Sequence, residues 1–293
     1  MVAEVFLGVD VGGTKVHALL TDPMGTVLAE AREPTAPTGG LALADQIAQL
    51  ADRLCAQAGC ARPVAAGIGL PASVDPVTRA LSVIPNIPEM AGTGFFPALQ
   101  ARLGGRIALE NDVSAAALGE AWLGESGDPL AFVALGTGIG MGLIHRGEIF
   151  RGCRGGAGEI AFLPLGADPA DPEIRQSGAL EEVLGGKGWR RAYQAAKGQS
   201  EPDLAQLFAA NDPVFELVIT NQAALLARAL LSVSALVAPE VIVLGGSIGM
   251  QPKLIAATTA ALAEICPHPP RICPSRLGPR AGALGAARAA MLG

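Results

Sequence analysis

Apolar residues follow two different spacings along the 293-residue chain. Short continuous apolar runs at residues 5–10, 64–70, 130–135 and 240–244 are typical of buried β-strands. Residues 39–60 instead carry leucine and isoleucine at a spacing of three to four, which is typical of an amphipathic helix. Because predicted strands alternate with predicted helices, the pattern indicates an α/β protein.

The order of elements in the first thirty residues recurs after residue 128. In both places a strand, a glycine-rich turn with a threonine, a second strand, a turn and a third strand follow one another. The glycine turns are Val11–Lys15 and Gly136–Gly140. The repeat predicts two similar halves that face each other, with two glycine turns on opposite sides of a cleft, where they could hold a chain of phosphates.

The turn at Gly12 and Gly13 lies between two strands, so it is neither the GxxxxGK[ST] phosphate loop nor the GxGxxG dinucleotide loop. Two readings stay open here. The turn is either an ordinary hairpin or a clamp whose backbone N–H groups, together with Thr14 and Lys15, bind a phosphate.

A third glycine-rich element, Gly245-Gly-Ser-Ile-Gly249, joins the strand at 240–244 to a predicted helix at 252–265. Backbone N–H groups at the start of such a helix bind anions, so this element is a candidate nucleotide site. The long apolar helix predicted at residues 213–237 should be buried.

Asn111 and Asp112 stand between a predicted strand and an alanine-rich helix. Their side-chain oxygens could simply cap that helix, because Asn and Asp are favoured at helix starts. A carboxylate at the carboxyl end of a strand, facing phosphate-binding turns, is also where the base of a phosphoryl transfer would lie. Asn86, in a loop bracketed by prolines, also has two possible roles. It either forms a turn or binds a sugar hydroxyl.

Composition narrows the possible functions. The chain is 50% hydrophobic with a net charge of −6 and has no basic run, which argues against nucleic acid as a partner. We expect no apolar stretch that is long and uncharged enough to span a bilayer, and no signal peptide is apparent, so we expect a cytoplasmic protein. The five scattered cysteines indicate free thiols in a reducing compartment.

Six motifs taken in order resemble the ROK family of repressors and sugar kinases, within the actin-like ATPases, over essentially the whole chain. They are Asp10-Val-Gly-Gly-Thr-Lys15, Gly67-Ile-Gly-Leu-Pro71, Glu110-Asn-Asp112, Leu135-Gly-Thr-Gly-Ile-Gly140, Gly155-Gly-Ala-Gly-Glu159 and Leu244-Gly-Gly-Ser247. The resemblance implies a two-domain α/β fold of the actin-like, ribonuclease H-like type, with a ligand cleft between the domains. We place one domain at residues 1–112 with the C-terminal helix 281–293, and the other at residues 113–280.

The resemblance also implies the site residues. Asp112 matches the catalytic base, and Asp10 would serve the Mg²⁺ of Mg·ATP. Positions that bind sugar hydroxyls in the family are matched by Asn86, Asn111, Asp112, Glu159 and Glu181. Positions that bind ATP are matched by Asp10, Gly12, Gly13, Thr14, Lys15, Gly136, Thr137, Gly138, Gly140, Gly245, Gly246 and Ser247.

The sequence departs from the family pattern after Glu159. Many members have histidine where this chain has Phe162, and a cysteine-rich zinc motif before the glutamate matched by Glu181. The stretch from Ile174 to Glu181 contains no cysteine, and tetrahedral zinc needs about four clustered ligands. We therefore expect no zinc, and the missing histidine leaves the identity of the sugar open.

Together these observations predict a cytoplasmic, homodimeric kinase that transfers phosphate from ATP to a hexose, at the 6-hydroxyl of glucose or a related sugar. Helix-start placement should keep Asp112 ionised and able to accept a proton. The alternatives are a regulatory or catalytically silent sugar-binding protein of the same family and a kinase that uses polyphosphate. A regulator would need a DNA-binding segment, and the first strand begins too near the start of this sequence to leave room for one.

Overall fold

The computed structural model describes residues 4–82, 94–198 and 203–293. Its contacts divide the chain into two compact units. Unit 1 comprises Met1–Ser126, Gly142–Ala157 and Leu277–Gly293, and unit 2 comprises Gly127–Met141 and Gly158–Arg276. The domain boundary after residue 112 stays a prediction.

The first sheet belongs to the N-terminal part of the chain and has the order β3-β2-β1-β4-β7. Strand β1 pairs antiparallel with β2 and parallel with β4, and β4 pairs parallel with β7. A separate hairpin pairs β5 with β6. The bounds are β1 Phe6–Val11, β2 Lys15–Thr21, β3 Val27–Pro34, β4 Ala65–Leu70, β5 Ser73–Val74, β6 Leu81–Ser82 and β7 Arg106–Asn111.

The second sheet repeats this arrangement in the order β10-β9-β8-β11-β12. Strand β11 is parallel to β8 and β12, whereas β10 is antiparallel to β9. Two antiparallel strands followed by parallel ones are therefore found in both sheets, which agrees with the predicted repeat. The bounds are β8 Leu130–Leu135, β9 Ile139–His145, β10 Glu148–Ile149, β11 Val241–Gly245 and β12 Arg271–Pro274.

Eleven α-helices are present in the described residues. Those of unit 1 are α1 Gly40–Ala58, α2 Phe95–Leu103, α3 Asp112–Leu123 and α11 Ala281–Leu292. Those of unit 2 are α4 Ile174–Ser177, α5 Ala179–Leu184, α6 Gly186–Lys197, α7 Leu204–Ala209, α8 Pro213–Val237, α9 Gly246–Gly249 and α10 Pro252–Ile265.

The core of unit 1 depends on close approach between α11 and its neighbours. Helix α11 packs on β1 and β4 and along α3. A Cβ atom at Gly67 of β4 would lie 1.7 Å from the carbonyl oxygen of Ala286, which no backbone could accommodate without moving. The first glycine of the Gly67–Pro71 motif is thus explained by helix packing.

Helix α8 corrects one expectation. Within the described part of the chain it is the one helix that is long and apolar enough to cross a membrane by length and composition, so the expectation that no such stretch exists is wrong. Half of its most apolar window, 50%, is buried, and the helix packs against α10 and α6 inside unit 2. This burial is typical of a core helix and agrees with the predicted buried helix at residues 213–237.

Candidate active site

Asp10 lies near the carboxyl end of β1, where the hairpin of β1 and β2 begins to turn. Burial raises the pKa of Asp10 to about 6, although the positive charges of Lys15 and Arg32 act in the opposite direction. A Cβ at Gly282, near the start of α11, would lie 2.7 Å from the Asp10 carboxyl carbon. Because Gly282 has no side chain, the Asp10 carboxylate can occupy this space. No pattern in the sequence indicates this role of Gly282.

The turn after β1 is tightly closed. The N–H of Gly12 donates to the carbonyl oxygen of Lys15 at 2.9 Å, and the Thr35 hydroxyl donates to the carbonyl oxygen of Gly12 at 2.7 Å. Gly13, Thr14 and Lys15 are exposed at its tip. The tip therefore presents backbone and side-chain donors to solvent, as a phosphate clamp requires.

His17 connects this hairpin to the start of α11. Its buried imidazole lies 3.0 Å from the carbonyl oxygen of Pro279 through Nδ1 and 2.8 Å from Glu30 Oε1 through Nε2. Arg280 donates to the other oxygen of Glu30 at 2.9 Å. These contacts fix the segment just before Gly282, which lies against Asp10.

Asn111 and Asp112 lie where β7 ends and α3 begins. Asn111 is the N-cap, because its Oδ1 accepts the N–H groups of Val113 and Ser114, each at 3.0 Å. Asp112 is the first helical residue, partly exposed, and its Oδ1 also accepts the N–H of Val113 at 2.8 Å. The capping role is thus carried mainly by Asn111, so capping alone does not account for Asp112.

The turn Gly136–Gly140 of unit 2 rests on the start of α6. The N–H of Gly186 donates to the carbonyl oxygens of Gly136 and Thr137, both at 3.0 Å. Helix α6 was not predicted, because the Gly185-Gly-Lys-Gly188 segment at its start interrupts the helical pattern. A Cβ at Gly185 would lie 2.9 Å from the Thr137 carbonyl oxygen, so glycine permits this close contact.

The carboxylate of Glu181 lies directly on this turn. Its Oε2 accepts the N–H of Ile139 at 3.0 Å, and a Cβ at Gly138 would lie only 2.2 Å from the same oxygen. Burial raises the pKa of Glu181, and the nearby Glu159 and Glu182 charges raise it further, whereas the Ile139 N–H and Lys187 lower it. The structure thus places a residue predicted to bind sugar against the turn predicted to bind phosphate.

Glu159 is exposed and precedes the short 3₁₀ helix Ile160–Phe162. Its charge is close enough to Glu181 to affect the Glu181 pKa, so the structure brings these two predicted residues together. A Cβ at Gly178, just before α5, would lie 2.4 Å from the Ala161 carbonyl oxygen. Gly178 therefore lets the 3₁₀ helix contact the start of α5.

Phe162 is 44% exposed, so the ring that replaces the family histidine is open to solvent.

Gly245, Gly246 and Ser247 form the passage from β11 into α9. Gly246 has a φ of 79°, and a Cβ there would lie 2.1 Å from the Leu135 carbonyl oxygen. A Cβ at Gly136 would lie 3.8 Å from the Ser247 hydroxyl oxygen, so the two glycine elements of unit 2 are neighbours. Both predicted ATP-binding elements of this unit are therefore brought together.

Asn86 lies outside the described residues. Among those that are described, no group of three or more His, Cys, Asp or Glu residues is arranged to hold a metal ion. The role of Asp10 toward Mg²⁺ and the expectation of no zinc both stay predictions.

The ROK family model matches residues 6–291 of this chain. The N-acetyl-D-glucosamine kinase of Escherichia coli O9:H4 is 31% identical, with 97% of this chain and 98% of that protein aligned. Solved structures share the fold. A ROK hexokinase from Thermus thermophilus has a TM-score of 0.84 and 32% identity, with 98% of each chain covered.

A further solved structure with this fold is a ROK family glucokinase from Streptomyces griseus in complex with glucose and AMPPNP. It has a TM-score of 0.81 and 24% identity over 99% of this chain and 100% of that one. These relatives confirm the predicted actin-like α/β fold and the predicted class of enzyme, a sugar kinase. This chain belongs to the ROK family.

Proposed function

We propose that this protein transfers the terminal phosphoryl group of ATP to the 6-hydroxyl of a hexose, with Asp112 as the general base. The observation that carries the proposal is the placement of Asp112 at the carboxyl end of β7, while Asn111 supplies the helix cap. A partly exposed carboxylate at that position can accept the proton of a hydroxyl group, which an amide cannot do.

In the proposed reaction the sugar hydroxyl loses its proton to Asp112 as its oxygen attacks the γ-phosphorus, and ADP leaves. Asn111, Glu159 and Glu181 bind the other hydroxyls, together with Asn86. Such groups reject a sugar that lacks the partner hydroxyl, because an acceptor that the bound sugar shields from water is then left unpaired. The Glu159 charge lies near enough to Glu181 to raise the Glu181 pKa, which supports a common site for the two carboxylates.

The residues proposed to bind the phosphates of ATP are those of the glycine turns, Gly12, Gly13, Thr14, Lys15, Gly136, Thr137, Gly138 and Gly140. Gly245, Gly246 and Ser247 would face the adenosine. Asp10 fits a role toward Mg²⁺, because a carboxylate whose pKa is raised by burial gains from a nearby cation. When bound, the ion would neutralise phosphate charge.

The experiment that tests this function is a coupled assay of ADP release with Mg·ATP over a panel of sugars. The panel contains glucose, mannose, fructose, N-acetyl-D-glucosamine and N-acetyl-D-mannosamine, with a metal-stripped sample and a polyphosphate arm. Saturable release that depends on one sugar supports the proposal. No release with any sugar, while sugar binding remains measurable, contradicts it. Sugar phosphate formed in the polyphosphate arm would then favour a polyphosphate-dependent kinase, and no sugar phosphate in either arm would favour a silent binding protein.

We also propose a cytoplasmic homodimer. Light scattering coupled to gel filtration of the full chain gives the mass directly. A mass of twice 29.6 kDa supports the dimer, and a mass of 29.6 kDa at working concentration contradicts it.

Replacing Gly138 with alanine should weaken sugar binding and lower the free energy of unfolding by about 1 kcal/mol, because Glu181 then gives up the N–H of Ile139. The new Cβ overlaps Glu181 Oε2, the end of a flexible side chain that can move away without displacing backbone. Loss of one charged hydrogen bond to the sugar should raise Kd roughly 10-fold. Calorimetric titration with sugar alone measures the change.

Gly136→Ala is the matched control in the same turn, because its Cβ would meet no atom closer than 3.8 Å. We expect this variant to keep the sugar Kd of the wild type. Equal Kd values for Gly138→Ala and the wild type would remove Glu181 from the proposed sugar site.

A further inference from the structure

Glu110 directly precedes Asn111 and Asp112 at the end of β7, and it is 7% exposed. Both of its carboxylate oxygens are bound by Arg151. Arg151 Nε donates to Oε2 at 3.1 Å, and Arg151 Nη2 donates to Oε1. This is a two-pronged pairing of guanidinium and carboxylate, which fixes direction as well as charge.

Arg151 is itself anchored in unit 1. It follows β10, and its Nη1 donates to the carbonyl oxygen of Ile149 at 3.3 Å. The guanidinium therefore spans from the end of β10 to the end of β7. A lysine could supply the charge but not the fork.

Strand β7 is the last strand of its sheet, so a neighbouring strand fixes it on one side only. On one side it pairs with β4, where Gly69 is opposite Glu110 and Leu70 is opposite Asn111. A cavity of about 490 Å³ is lined by Arg106–Glu110 of this strand, by Ile149 and by Arg151. Arg151 lines this cavity and binds the Glu110 carboxylate at the last residue before Asn111.

We propose that Glu110 and Arg151 are a positioning pair that fixes the junction of β7 and α3, and thereby the carboxylate of Asp112. The inference rests on the proposed function for its catalytic consequence, but not for its structural one. A displacement of about 1 Å in a reacting group is enough to lower a rate by up to roughly 10²-fold. Fixing the junction of β7 and α3 should therefore raise kcat.

The test uses the full-length protein as Arg151→Met, Glu110→Gln, the double variant and Arg151→Lys. We expect Arg151→Met to lower kcat roughly 10-fold while KM for ATP stays within about twofold. Because the two residues act as one unit, the double variant should lose no more than the worse single variant. Arg151→Lys should restore part of the lost kcat, because it returns the charge without the fork.

Arg106→Met is the matched control. Arg106 lies at the other end of β7, lines the same cavity and donates through Nη2 to the Ala290 carbonyl oxygen at 2.7 Å. We expect this variant to keep the wild-type kcat. Independent, additive losses for Glu110→Gln and Arg151→Met, or an unchanged kcat in folded Arg151→Met, would overturn the proposal.

A second measurement separates this proposal from the proposed function. Hydrogen exchange at the amides of Val113 and Ser114, which are bonded to Asn111, should be faster in Arg151→Met than in the wild type and in Arg106→Met. This outcome does not depend on kinase activity. Exchange equal to wild type contradicts the positioning pair, whereas a wild type inactive on every sugar contradicts only the proposed function. Arg151→Lys, which keeps the charge beside Glu110, serves the same comparison if Arg151→Met fails to fold.

Discussion

Asp112→Asn is expected to lower kcat by roughly 10²-fold or more while the fold and sugar binding are kept. The amide is nearly the same size as the carboxylate but cannot accept the proton of the attacking hydroxyl. The start of α3 should persist, because Asn111 accepts the N–H groups of Val113 and Ser114 and asparagine is itself well tolerated at helix starts. Steady-state kinetics with sugar and Mg·ATP measure the loss, and calorimetric titration measures the sugar Kd.

Asp203→Asn is the control for this substitution. Asp203 caps α7, where its side chain accepts the N–H of Ala205 at 2.9 Å. The same chemical change there should leave kcat at the wild-type value. If Asp112→Asn also turned over at a near-normal rate, Asp112 would be only a part of the helix start and not the base.

Gly285→Ala should destabilise the protein by about 3 kcal/mol, near the upper end of what overpacking a core costs. Gly285 lies in α11 where it meets α3, and a Cβ there would lie 1.6 Å from the carbonyl oxygen of Ala115 and 2.8 Å from the N of Gly119. Both contacts are with backbone, so the helices must separate. A protein of this size class loses about 2–4 °C of Tm per kcal/mol, so Tm should fall by about 6 °C or more, as measured by thermal melting.

Gly156→Ala is the matched control for added volume. No atom lies within 4 Å of its ideal Cβ, and its backbone is outside the left-handed region. This variant should stay within about 0.5 kcal/mol of the wild type. A Gly285→Ala protein as stable as Gly156→Ala would mean that the close packing of α3 on α11 is not required.

Local patterns were sufficient to predict the main strands along the chain and the pair of glycine turns. The apolar runs have lengths and flanking glycines that are typical of strands, and the recurrence of the first hairpin near residue 130 predicts the second sheet. The position of Asp112 at the start of α3 could also be predicted, because Asn and Asp beside an alanine-rich stretch are a strong helix-start signal.

What could not be predicted depends on contacts between distant segments. The space for Asp10 is left by Gly282, which lies more than 270 residues further along the chain. Likewise, Glu181 carries no local sign that its carboxylate accepts the N–H of Ile139. Helix α6 is not predicted because Gly185, Gly186 and Gly188 at its start lower helix propensity. Gly185 and Gly186 are nevertheless what lets the helix approach the turn at Gly136.

The most direct test of the proposed phosphoryl transfer is ³¹P NMR of Mg·ATP mixed with the preferred sugar and the wild-type protein. The proposed function predicts one new phosphomonoester resonance that grows in step with ADP, at a rate lowered roughly 10²-fold by Asp112→Asn. Growth of inorganic phosphate in place of that resonance, or formation of the ester at an equal rate with Asp112→Asn, would contradict it.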